Sequence, residues 1–269
     1  MELDPKLVQA LSPHLQRVLV VDPDAHSNRL LQDVLRSLRG DKVYTAGTTH
    51  AGLSMAETVK PQLIFVEYAG AELDGLKFTR RLRRSSFGVR KAPVVMMTSQ
   101  VTPATITGAR DAGVHEFLRK PFTNRDLIRR IQAALVPRGW TEAVEYVGPD
   151  RRRFNSAAHP GPRKRHADKS GDPLQVRLIS ALKIVAAALP ALQTDPAQAV
   201  RSLIAQAEEL HAVGQASGNK RLADSALALH ERLVEAQKTG KLTWQELDRY
   251  VVPLIGMLPQ AKAAQEAAA

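Results

Sequence analysis

The chain has 269 residues, 44% of them hydrophobic, no cysteine, and 38 Lys and Arg against 27 Asp and Glu, a formal net charge of +11. That length predicts two domains, or one domain with a helical extension. The lack of Cys excludes a disulfide framework, thiolate metal sites and cysteine nucleophiles, and suits a reducing cytoplasm. The charge would suit nucleic acid, an anionic nucleotide or an acidic protein without choosing among them. Met1-Glu2-Leu3-Asp4-Pro5 lacks the charged-then-apolar order of a secretory signal, and no run approaches the ~18 apolar residues of a bilayer span. A cytoplasmic chain without membrane insertion is the expectation.

In chain order, Asp4-Pro5 caps a short lead carrying Leu7, Val8 and Leu11, and Arg17 to Val21 reads as a buried strand that stops at Asp22-Pro23-Asp24. Leu30, Leu31, Val34 and Leu35 form a helical stripe that Gly40 closes as a C-cap. Lys42 to Thr45 is a second strand, Thr48 to Val59 a helix, and Leu63 to Val66 a third strand between Pro61 and the Asp74-Gly75 turn. Leu73 to Arg84 is helical, Ala92 to Met97 a fourth strand, Pro103 to Ala112 a helix and His115 to Arg119 a fifth strand. Thr123, with Asp126 three residues on, caps a helix to about Leu135. This alternation predicts an α/β fold with a doubly wound, five-stranded parallel sheet.

Beyond it the pattern dissolves into Pro, Gly, Ser, His and bunched charge, including Arg151-Arg152-Arg153 and Arg163-Lys164-Arg165, which by composition is a linker. Four helically spaced sets follow: Leu178, Leu182, Val185 and Leu189; Val200, Leu203, Ile204, Ala207 and Leu210; Leu222, Ala226, Leu229 and Leu233; Leu247, Val251, Leu254 and Leu258. They predict an all-α helical bundle, with Asp195-Pro196 starting its second helix and the capping box Thr243 to Glu246 its fourth. The expected division is a lead over 1–15, the α/β domain over 16–136, the linker over 137–172, the bundle over 173–260 and an Ala-rich tail over 261–269.

In open parallel sheets the chemical site lies beyond the carboxyl ends of the strands. Here those ends carry Asp22 and Asp24, Glu67, Thr98 and Ser99, and Lys120 followed by Pro121. The set resembles the receiver domain of two-component response regulators, through Val20-Val21-Asp22, Asp74-Gly75, Met97-Thr98, Phe117 and Lys120-Pro121 in that order. The resemblance covers about residues 16 to 136 and implies a flavodoxin-like fold. It puts Glu67 at the phosphoaccepting position, Asp22 at a metal-binding acid, Lys120 on the phosphoryl group, and Thr98 with Phe117 as the pair that reports occupancy by rotamer change.

Two positions depart from the family. Glu67 stands where it has Asp, and Pro23 where it has the second acid of the pair. One extra methylene displaces a carboxylate by more than ~1 Å, which in-line transfer tolerates poorly. Without the second acid, Mg²⁺ would have Asp22, Glu67 and a carbonyl near Ala69, with Asp24 as a substitute. No cofactor is expected, and Mg²⁺ is left open. Two accounts of Glu67 stand side by side: a built-in partial mimic of the acyl phosphate facing Lys120 and Thr98, or half of a relic ion pair in a docking scaffold.

Arg151, Arg152 and Arg153 offer bidentate forks for phosphates or an acidic partner, and resemble part of the cyclic-di-GMP-binding arm of PilZ domains without its second half. The segment from Glu208 to Leu233 resembles the central hairpin of histidine phosphotransfer domains, but Glu208 falls at the phosphoaccepting position, with His211 and His230 nearby. The bundle has no basic recognition helix, so DNA binding is not expected, and no hydrolase or transferase set appears. The expected function is an atypical, phosphorylation-independent response regulator that binds a histidine kinase, a phosphotransfer protein or another regulator. The alternatives are a phosphorylatable phosphorelay member and a cyclic-dinucleotide or nucleic-acid binder acting through the arginine run.

Overall fold

The computed structural model describes residues 4–150, 172–239 and 244–257, so Arg151 to Arg153, Arg163 to Arg165, the Thr243 cap, Leu258 and the tail lie outside the described residues. The described chain forms two compact units, one of residues 4–141 and 146–150, the other of 142–145 with the helices from 172 on.

The first unit runs α1 (Pro5–Leu11), β1 (Arg17–Val21), α2 (Ala25–Ser37), β2 (Lys42–Ala46), α3 (Thr49–Val59), β3 (Leu63–Glu67), α4 (Gly75–Arg84), β4 (Val94–Thr98), α5 (Pro103–Ala112), β5 (Glu116–Arg119) and α6 (Asn124–Leu135). All five strands are parallel, in the order β2-β1-β3-β4-β5. Their side chains alternate between two apolar layers. Val18, Val20, Leu63, Phe65, Val95 and Met97 face α2 and α6, and Leu19, Val21, Ile64, Val66, Val94 and Met96 face the layer of α3 to α5. Burial on both faces is why these strands read as unbroken apolar runs. The lead is part of this core, since α1 contributes Leu11 and the following turn Leu15, both buried.

The boundaries differ from expectation where hydrogen bonding decides them. The helix start expected at Leu73 falls at Gly75, capped by the Asp74 side chain on the Lys77 amide. The left-handed residue ending α2 is Arg39 (φ 57), not Gly40. Gly40 is still required there, because a Cβ would lie 2.9 Å from the Leu35 carbonyl oxygen that its own amide bonds. The Thr123–Asp126 capping box forms as expected.

Residues 137–150, read as linker, carry two short paired strands, β6 (Trp140–Glu142) and β7 (Val147–Pro149). Gly113, left-handed at φ +89, gives β7 room, since a Cβ there would collide with the Val147 carbonyl. Beneath the Trp140 ring, 5.3 Å from its centre, lies the guanidinium of Arg83, a residue of 1% exposure on α4. Arg83 Nε donates to Gly113 O (2.9 Å), and Nη1 to Arg90 O (2.6 Å) and Ala92 O (2.9 Å). Its Nη2 meets His115 Nδ1 at 3.2 Å, and that nitrogen also accepts from the Val94 amide at 3.3 Å. One cation therefore joins the end of α4, the approach to β4, the end of α5 and the approach to β5. Arg138 closes the same region from the chain after α6, bonding Glu116, the His115 carbonyl (2.7 Å) and the Ala133 carbonyl (2.7 Å).

The second unit packs α7 (Pro173–Ala191), α8 (Pro196–Ala216), α9 (Lys220–Thr239) and α10 (Trp244–Ile255) around Leu182, Val185, Leu203, Leu210, Leu229, Leu233, Val251 and Leu254. Asp195 caps α8 as expected. Gly214 sets the closeness of α8 to α9, because a Cβ there would come 2.6 Å from the Ala223 amide nitrogen. Glu142 anchors residues 142–145 to α8, accepting Gln198 Nε2 on its carboxylate (2.9 Å) and Ser202 Oγ and Gln206 Nε2 (3.2 Å each) on its carbonyl. By length and composition Pro173–Ala191 could cross a membrane, where the sequence reading expected no run of that kind; Arg177 and Lys183 interrupt it. Its Ala181, Leu182, Val185 and Ala188 are core residues of the bundle.

Because His115 Nδ1 accepts from two donors, it carries no proton; burial first, then Arg83 and Arg138, push the pKa down to about 2. A depressed folded-state pKa gives stability that is present above the unfolded value of 6.5 and lost as pH falls below it. Between pH 6.5 and 4.5 the unfolding free energy of the wild type should fall about 1.4 kcal/mol per pH unit faster than that of His115→Asn, whose Oδ1 can accept both bonds. Urea unfolding across that range measures it.

Candidate functional site

Register brings the site residues together. Val21 pairs with Ala46 and Glu67 with Met97, while Asp22 N continues the ladder to Ala46 O and Lys120 N to Thr98 O. Asp22, Glu67, Thr98 and Lys120 thus leave neighbouring strands at one edge of the sheet, where the strand order reverses around β1 and β3. Gly75 lets the start of α4 come down on the end of β3, since a Cβ there would overlap the Glu67 carbonyl oxygen.

At the centre is the Lys120 ammonium. Nζ lies 2.5 Å from Glu67 Oε2 and 2.7 Å from Asp22 Oδ2. The Asp22 side chain is 1% exposed and that of Glu67 13%, so both pairs form in a largely desolvated site. The remaining oxygens are held as well. Asp22 Oδ1 accepts from the Asp24 amide (2.9 Å), and Glu67 Oε1 from the Tyr68 amide (3.0 Å).

Two carboxylates share one cation, which leaves the set one negative charge in excess. Burial lifts the Glu67 pKa above its ordinary value; the Lys120 bond opposes that rise and the nearby Asp22 charge adds to it. Burial alone would lower the Lys120 pKa, but its bonds to Asp22 and Glu67 outweigh burial and raise it. The ammonium is firmly held, and Glu67 is the acid that gives way.

The other expected residues are placed differently. Thr98 does not reach Glu67: its Oγ1 accepts from the Gln100 amide at 3.1 Å, within the loop after β4. The sequence reading that aimed Glu67 at both Lys120 and Thr98 therefore holds for Lys120 alone. Asp24 turns away to cap α2, accepting from the His26 amide at 2.9 Å. Ser99 and Pro121 are exposed, the latter after a cis peptide bond, and Phe117 is half-buried in the layer facing α3 to α5. The run from Arg151 to Arg153 lies outside the described residues. In the second unit Glu208 meets His230 Nε2 at 3.2 Å, and His211 Nδ1 meets the Ala223 carbonyl at 2.9 Å.

A hard divalent cation needs several convergent oxygens. Here Pro23 offers none, Asp24 serves a helix cap, and the two remaining carboxylates close on an ammonium. This donor set does not fit Mg²⁺, and among the described residues no group of three His, Asp or Glu could hold a metal. Sequence reasoning missed the clasp formed by Arg83, His115 and Trp140. Its cue was a lone Arg at an inward position of an amphipathic helix.

Residues 18–132 match the family model described as the response regulator receiver domain. They are a receiver domain. The KDP operon transcriptional regulatory protein KdpE of Escherichia coli is 32% identical over 121 residues, covering 45% of this chain and 52% of that protein. The cyclic di-GMP phosphodiesterase response regulator RpfG of Xanthomonas campestris is 31% identical over 129 residues, 48% of this chain and 34% of its own length. Chemotaxis protein CheY4 of Vibrio cholerae matches 45% of this chain over 99% of its own at 23% identity, with a TM-score of 0.42. The chain thus spans about half the length of the first relative and a third of the second. The four helices of the second unit lie beyond the matched receiver residues.

The shared cation sets how substitutions rank. Lys120→Met strands two buried carboxylates and should cost about 3–5 kcal/mol, whereas Glu67→Gln, with Asp22 still holding the ammonium, should stay within about 1 kcal/mol. A raised folded-state pKa is most favourable below the unfolded value of 4.5 and loses ground as pH rises through it. The stability of wild type relative to Glu67→Gln should therefore decline from pH 4.5 upward and then level off, as read by denaturant titration at stepped pH.

Proposed function

We propose that this chain is a response regulator of two-component signalling whose receiver works without phosphoryl transfer, by protein–protein contact. The observation that carries this reading is the Lys120 ammonium bridging Asp22 and Glu67 at 2.7 and 2.5 Å. In a receiver that takes phosphate, the acceptor must be free to attack and a divalent cation must neutralise the incoming oxygens. Here the acceptor is a glutamate already paired, and the donor set does not fit Mg²⁺. Glu67 serves as a resident anion for Lys120, occupying on the strand β5 side the role that a phosphoryl group would take. On the strand β4 side it does not, because Thr98 is engaged by Gln100. The mimicry is partial, and it fixes a single arrangement of the domain.

The partners are a histidine kinase, a phosphotransfer protein or another regulator, met through the face of α5, β5 and α6, in the cytoplasm. Binding without turnover is the mode of action. DNA reading is not part of this proposal: residues 172–257 hold 9 Lys and Arg against 9 Asp and Glu, no surplus for a polyanion. Purified protein incubated with acetyl phosphate and Mg²⁺ should gain no hydroxylamine-labile phosphate. Stoichiometric labelling would show a conventional phosphorelay member and overturn the proposal, whereas labelling gained only by Glu67→Asp would show that this one methylene keeps the chemistry silent.

A further inference from the structure

The positive charge of the described chain is concentrated in its first unit, with 21 Lys and Arg against 13 Asp and Glu in residues 4–141 and 146–150. Within that unit α4 is the extreme case. From Gly75 to Arg84 it reads GLKFTRRLRR, with no acidic residue. Phe78, Thr79, Leu82 and Arg83 are buried, while Lys77, Arg80, Arg81 and Arg84 are exposed on the other side. At 100° per residue these four fall within one third of the helix circumference, along about 10 Å of axis.

Such faces are commonly solvated and balanced by acids one turn away. Here the acid one turn before Lys77, Asp74, caps the helix through the Lys77 amide. Among the described residues no hydrogen bond or ion pair engages the Lys77, Arg80 or Arg81 side chain. Like charges at three- and four-residue spacing each cost about 0.2–0.5 kcal/mol of helix stability, a cost that no side-chain bond of Lys77, Arg80 or Arg81 offsets.

Beside the basic face runs a groove against α3. One part, about 370 Å³, is lined by His50, Leu53, Glu57, Arg81 and Phe87; the next, about 400 Å³, shares His50 and Arg81 and reaches Glu72, Asp74 and Lys77. It has an apolar floor in Leu53 and Phe87, a basic wall on α4, and carboxylates at Glu57, Glu72 and Asp74 along its other rim. A continuous phosphate backbone would run against those three acids. A peptide can place its carboxylates on the α4 side alone and turn an apolar residue to the floor.

We propose that the outer face of α4 and the α3–α4 groove form a docking site for an acidic amphipathic peptide segment of a partner protein. Asp22, Glu67 and Lys120 are not among the residues that line it. The occupant binds as a helix or extended strand with Glu or Asp opposite Lys77, Arg80 and Arg81 and an aliphatic residue over Phe87. Attraction from such exposed charges weakens as salt rises.

The test uses the full chain and a fluorescent 20-residue peptide with Glu and Leu on opposite helical faces, read by anisotropy. Binding should weaken at least about tenfold in K77E/R80E/R81E and with rising salt. It should survive in R29E/R125E/R129E, three charges removed from other exposed positions, and should fail for peptides with Glu→Gln or Leu→Ala. Circular dichroism confirms that both variants fold. Equal loss in both variants would reduce the effect to net charge and overturn the proposal. So would retention in K77E/R80E/R81E, no binding by wild type, or tighter binding of a 20-base-pair DNA duplex through the same three residues.

Discussion

One ammonium between two carboxylates is the interaction on which the rest of this receiver depends. Asp22 is buried and Glu67 and Lys120 are largely so, and among the described residues neither carboxylate has a second cation within reach, so withdrawing Lys120 must leave a desolvated charge uncompensated. In a receiver that cycles, this balance is altered by an incoming dianion and a metal. Here Pro23 removes a metal ligand, and the longer arm of Glu67 delivers its carboxylate to Lys120 directly. The excess negative charge falls on Glu67, where burial raises the pKa, so the set is held by Lys120 more than by either acid.

The fold supplies the rigidity that such a set needs. β1 and β3 are apolar on both faces, and the side chains that fix their height in the sheet also fix the heights of Asp22 and Glu67. Gly75 allows α4 to close on the end of β3. At the opposite end of the sheet a second buried cation acts in the same way, with different partners. Arg83 is met by carbonyls and a neutral imidazole instead of carboxylates, and its pKa is lowered by burial to about 9, still protonated at neutral pH. The paired strands β6 and β7 complete that clasp through Trp140 and Val147. α4 therefore carries a buried arginine on its inner side and exposed cations on its outer side.

Much of this was legible in the sequence, because the signals were periodic or positional. Runs such as Val18 to Val21 and Leu63 to Val66 are strands buried on both faces, and residues just past them in a parallel sheet must converge, which is how Asp22, Glu67 and Lys120 were found. What stayed hidden depends on side-chain direction or on pairing between distant segments. Thr98 occupies the expected position, but its rotamer serves the Gln100 amide, and spacing does not encode that choice. Asp24 could have been a ligand or a helix cap, and both uses fit the same sequence. Trp140 and Val147 sit among Pro, Gly and charge, where composition reads as linker; what they pack on is the Arg83 guanidinium and Gly113, held in place by residues 90, 92 and 115. Arg39 took the left-handed turn expected of Gly40, because the two residues share one helix end and only the hydrogen bonds distinguish their roles.

The central proposal is that the site, closed by its own residues, does not respond to a phosphoryl group. The most direct measurement compares amide and side-chain ammonium NMR spectra of the full chain with and without beryllofluoride and Mg²⁺, which together form a phosphoryl-like adduct on a competent receiver. The account predicts superimposable spectra, with Lys120 Nζ protons slowly exchanging and the signals of Thr98, Gln100 and Phe117 unmoved. Shifts that begin at Glu67 and spread through Thr98 and α5 to Phe117 would show a working switch and contradict it.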